Sequence, residues 1–65
     1  MRLHIYEGKI GHEDFLCTVD IDDKMLVPRK GEKICLDKEI YTVIDVLNNY
    51  DINEVEIFVK LYDWE

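Results

Sequence analysis

From residue 54 to residue 62 every second position is aliphatic: Val55, Ile57, Val59 and Leu61. Glu54, Glu56, Phe58, Lys60 and Tyr62 fill the places between. A helix would bring its apolar residues together every three or four positions. A repeat of two is the pattern of an extended strand with one side turned to a core. The same period runs through most of the chain. Leu3 and Ile5 alternate with His4 and Tyr6 over residues 2–7, and Phe15, Cys17, Val19 and Ile21 alternate with Leu16, Thr18 and Asp20. Gly8 and Gly11 bracket a turn between these two segments, which reads as a hairpin.

Residues 32–36 predict a short strand with Ile34 and Leu36 on one side, and Asp37-Lys38-Glu39 a tight connection. Residues 40–47 are the longest apolar block, but their alternation breaks. Tyr41 and Val43 share one parity, Ile44 and Val46 the other. A β-bulge near Ile44-Asp45 would swap the faces and bend the strand. Residues 48–53, rich in Asn and Asp, suit a hairpin tip before the last strand. Met25-Leu26-Val27-Pro28 is a short apolar stretch ended by a proline that belongs at an edge or strand end. The expectation is one all-β domain over residues 1–65, a small antiparallel barrel or strongly bent sheet of about five strands. Leu3, Ile5, Phe15, Val19, Ile34, Leu36, Val43, Val55, Ile57, Val59 and Leu61 are its expected core.

A 65-residue chain holds one domain with a small core. Its stability should be modest and its terminal strands available for pairing, so a homodimer is expected. Fifteen acids against eight Lys and Arg give a net charge of −7. That balance argues against direct binding to nucleic acid or anionic membranes and suits a basic protein partner. No apolar run reaches the ~20 residues of a membrane-spanning helix. The opening MRLHIYEGK lacks the apolar centre of a secretory signal, so a cytoplasmic setting with reduced thiols is expected for Cys17 and Cys35.

Catalytic and metal patterns are thin. There is no serine, and Gly8-x-x-Gly11 lacks the Lys of a phosphate loop. His12-Glu13-Asp14 carries one histidine where a zinc-protease helix needs two four apart. Two cysteines 18 apart with His4 and His12 do not have the spacing of a structural zinc site. The expectation is a non-enzymatic protein without metal or cofactor.

Val27-Pro28-Arg29-Lys30-Gly31-Glu32-Lys33-Ile34, then Tyr41-x-Val43-x-x-Val46 and Val55-x-Ile57-x-Val59, form a longer pattern. Over residues 27–61 it resembles the small SH3-like β-barrel proteins encoded by phages and mobile elements of Gram-positive bacteria. The resemblance implies a compact, strongly bent sheet and a setting in the cytoplasm of a bacterial host. It carries over no catalytic residue.

The expected role is therefore binding and inhibition of a host protein, a defence component among the candidates. The partner would be basic or carry an apolar groove. Phe58, Tyr62 and Trp64 share the non-core parity of the last strand and are the candidate anchors, because exposed aromatics mark contacts. The competing reading has the N-terminal hairpin or a bend covering them. Asp51, Glu54, Glu56, Asp63 and Glu65 would form an acidic rim. Two other readings stay open: a structural or assembly module packing on its own phage partners, and an acidic mimic of a nucleic-acid backbone built on Glu54 and Glu56.

Overall fold

The computed structural model describes residues 2–21 and 27–62. Five strands follow the alternation: β1 Arg2–Glu7, β2 Asp14–Asp20, β3 Lys33–Leu36, β4 Glu39–Asn49 and β5 Glu54–Leu61. They form one sheet in the order β2-β1-β5-β4-β3. The sheet is strongly curled into a half-barrel, and no described residue is helical. Accordingly, no described helix is long and apolar enough to cross a membrane.

Three of the four ladders are antiparallel, as the hairpin pattern requires. The fourth, between β1 and β5, is parallel. It joins the two ends of the chain, with Leu3 beside Val55 and Ile5 beside Ile57. Period-2 patterning fixes which residues share a face, but it carries no information about strand direction.

The inner face of the curl holds the core. Leu3, Ile5, Val43, Val55, Ile57 and Val59 are buried there, with Cys17, Val19, Ile34, Leu36, Tyr41 and Val46 packed against them from the flanking strands. Two bulges shape the sheet. Val43 pairs with Val59 and Asp45 with Phe58, so Ile44 is the extra residue in β4. This is the face swap that the broken alternation of residues 40–47 predicts. The second bulge lies in β2, where Ile5 pairs with Cys17 and Tyr6 with Phe15, leaving Leu16 extra.

Three residues depart from the expected arrangement. Phe15 is not in the core: the bulge at Leu16 turns it to the outer face, and it is 59% exposed. Leu61 is also outside the core, 50% exposed, because the β1 ladder ends at the Glu7–Val59 pair and leaves this end of β5 without a neighbour on that side. Phe58 shows the opposite departure. Expected as a surface anchor, it is 1% exposed. Tyr6 stacks on it at 5.4 Å between ring centroids with 18° between the planes. The N-terminal strand thus covers it, and β5 is buried on both faces at its centre.

The connections follow from backbone sterics. Asp37 and Lys38 form the two-residue link between β3 and β4, with φ of 52° and 68°. Two successive positive φ values define the type I′ turn that matches strand twist. Gly8 has φ of 113°, and a Cβ there would lie 2.9 Å from the His12 carbonyl oxygen. Its N–H donates to the Val59 carbonyl at 2.9 Å, tying the first hairpin to the end of β5.

Two outcomes follow. Replacing Lys38 by glycine removes the left-handed penalty and raises unfolding free energy by ~0.5–1 kcal/mol in urea titration. Phe58→Ala empties a fully buried ring site and costs ~3–5 kcal/mol, comparable with the whole stability expected at this size. Its dichroism spectrum should lose the strand signal at room temperature, while Phe58→Leu keeps the fold with a lowered urea midpoint.

Candidate functional site

The outer face of the sheet gathers the polar and aromatic residues that alternate with the core. Two rows run across β2, β1 and β5. The first is Phe15, Tyr6 and Phe58, which the registers place side by side. Phe58 is the buried base and Tyr6 stacks on it. Phe15 meets Tyr6 edge-on, with centroids 5.6 Å apart and 66° between planes. The edge-to-face contact with a stacked pair favours this orientation of Phe15 by ~0.5–1.5 kcal/mol.

The second row is polar. Thr18 pairs with His4 across the β1–β2 ladder, and its hydroxyl lies 2.9 Å from His4 Nδ1. His4 Nε2 donates to the Glu54 carboxylate. One imidazole therefore links three strands. Hydroxyl, imidazole and carboxylate in series resemble a hydrolytic relay, but the setting differs. Neither of two grooves on the described surface lies over this row. One is lined by Val27, Pro28, Arg29 and Ile34 among others, the second by Thr42, Lys60, Leu61 and Tyr62. Both ring nitrogens are engaged, so the imidazole ties β1 to β2 and to β5. Glu56, next on the same face of β5, accepts from Asn49 Nδ2 at 3.0 Å.

The expected site residues are distributed as follows. Glu54 and Glu56 are on the outer face, half-buried and held by His4 and Asn49, so they do not form the free carboxylate row that a nucleic-acid mimic needs. Asp51 is exposed at the β4–β5 tip, where its N–H donates to Asn49 Oδ1 at 3.1 Å. Tyr62 is half-buried, and the Lys33 ammonium sits 5.1 Å from its ring centroid. Asp63, Trp64 and Glu65 lie outside the described residues. Phe58 serves as a foundation for the face.

Phe15 is the residue that strand parity missed. Its signal is Leu16, an apolar residue on the side of β2 otherwise occupied by Thr18 and Asp20. Leu16 packs against the core cluster, and a bulge is what admits both. Tyr50 and Ile52 add exposed apolar surface at the distant hairpin tip.

Comparison with known proteins found no matching family model, no matching curated protein and no matching solved structure.

Burial, followed by the charge and hydrogen bonding of Glu56, pushes the Tyr6 phenol above its ordinary value of 10.0; Glu13 and Glu54 add to the rise. The folded state thus favours the neutral phenol. That contribution is fully present below pH 10.0 and is lost as pH rises through the higher folded value. The urea midpoint should fall as pH rises above 10.0, and Tyr6→Phe should make the fall shallower. Tyr41, also raised by burial and by Glu7, keeps part of the dependence in the variant.

Proposed function

We propose that the chain is a non-enzymatic protein-binding module that engages its partner through the outer face of the sheet. The observation that carries this reading is Phe15, a large aromatic side chain 59% exposed yet braced by Tyr6 and, beneath it, Phe58. An aromatic ring already biased to one orientation loses less entropy on burial, which is the character of an interface anchor. Asp20 stands exposed on the same face at the far end of the strand, with Glu56 further in. Anionic groups around an aromatic anchor suit a partner with a basic rim and an apolar groove.

The net charge of −7 fits the same partner. The resemblance of residues 27–61 to small SH3-like barrels of phages and mobile elements supports a bacterial cytoplasmic setting. The biological reading is then a small phage or mobile-element protein that binds and blocks a host protein. A mimic of nucleic acid is less well supported, because Glu54 and Glu56 are committed within the sheet.

The test is capture by the tagged protein from lysates of Gram-positive bacteria, run beside Phe15→Ala and a Glu54→Lys/Glu56→Lys pair. Phe15→Ala should stay folded with a melting point lowered by several degrees, and lose the captured protein. Retention of that protein by Phe15→Ala, with loss only in the charge-reversed pair, would replace the aromatic anchor with the mimic. Recovery of virion proteins alone would replace the inhibitor with an assembly module.

A further inference from the structure

The half-barrel ends in two unlike edges. β2 and β3 are the terminal strands, and they make no contact with each other. Among the described residues each leaves one side of its backbone without a ladder partner, an arrangement that favours pairing with another strand. Their inward side chains are also only half covered: Cys17 and Val19 on β2, Ile34 and Leu36 on β3. Closing the edges would bury these four residues.

Charge and direction select the partner. β2 carries Asp14 and Asp20, whereas β3 begins with Lys33 and is followed by Lys38 in its turn. Pairing β2 with a second β2 about Cys17 sets inward Asp14 opposite outward Asp20 twice, against the pleat. Pairing β3 with a second β3 along its length sets outward Lys33 opposite inward Leu36, against the pleat. β2 with β3 meets neither obstacle. The ladders give β1, β5 and β3 one direction and β2 and β4 the other. A two-fold axis along the axis of the curl would therefore bring β3 of one copy antiparallel to β2 of the next, at both seams at once.

We propose that two copies of the chain close each other into one barrel through two identical β2–β3 seams. The register that keeps inward residues inward sets Asp20 opposite Lys33, Val19 opposite Ile34, Thr18 opposite Cys35 and Cys17 opposite Leu36. It uses all of β3 and places the one acid and the one base among these pairs together. Lys33 is held on the outer face by its contact with Tyr62, on the same side as Asp20. Arg2, 3.9 Å from Asp20, belongs to the neighbouring strand and leaves the free edge of β2 open. Phe15 falls outside the four pairs, so the seam and the proposed partner contact are separable.

Charge reversal tests this directly, because the Asp20 side chain is 91% exposed and Lys33 is exposed, and neither supports the core. Sedimentation at micromolar concentration should give a dimer for the unaltered chain. Asp20→Lys alone and Lys33→Asp alone should each weaken association by roughly tenfold or more, since both seams then oppose like charges. An equimolar mixture of the two variants should recover the unaltered affinity as a heterodimer, because both of its seams regain opposite charges. A 7.8 kDa monomer at every soluble concentration, or a mixture that associates no better than its separate components, overturns the proposal.

Discussion

The rest of the structure depends on burying β5 from both sides. A chain of 65 residues cannot supply a second layer for each face of a sheet. It solves this locally. Val55, Ile57 and Val59 are covered by the inward curl of the sheet itself, and Phe58 is covered on the opposite face by a ring from the neighbouring strand. Placing β5 between β1 and β4 makes it the strand at which the β1–β2 hairpin and the β3–β4–β5 meander meet. The parallel β1–β5 ladder is the joint between them, and it links residues about fifty positions apart in the chain. Contacts of that range form late and slowly in folding. The three antiparallel ladders are local by comparison and can form first.

Curling the sheet around β5 requires bulges, and the bulges create the candidate site. Ile44 in β4 and Leu16 in β2 each add one residue opposite a regular partner. Each bends its strand, and each moves the residues beyond it to the other face. In β4 the result is that Asp45 lies opposite Phe58 while Val46 returns to the core side. In β2 the result is Phe15 beside Tyr6. The aromatic row is therefore a consequence of how the sheet bends. Its exposed end occupies a position that regular alternation would have assigned to the core.

Much of this was legible in the residues. The five strands, the bulge at Ile44-Asp45 and most of the core follow from alternation, and the Asp37-Lys38 link follows from turn chemistry. Strand direction was not legible, because a period of two is the same for parallel and antiparallel neighbours. The β2 bulge was hidden for a related reason. Phe15, Cys17 and Val19 alternate without interruption, and only the apolar character of Leu16 hints that the register slips. Phe58 was ambiguous because parity says which face a residue occupies and nothing about what lies over that face. Tyr6, more than fifty positions away in the chain, decides it. The polar row was equally invisible: His4, Thr18 and Glu54 become neighbours only once both β1 ladders are known.

The central claim is that the bulge at Leu16 places Phe15 on the outer face in contact with Tyr6. Proton nuclear Overhauser spectroscopy on the labelled protein tests it most directly. The account predicts cross-peaks between the Phe15 and Tyr6 ring protons and between the Tyr6 and Phe58 rings, with Leu16 methyls close to core aliphatics. Cross-peaks from the Phe15 ring to the Ile5 and Val19 methyls, with none to Tyr6, would contradict it and return Phe15 to the core.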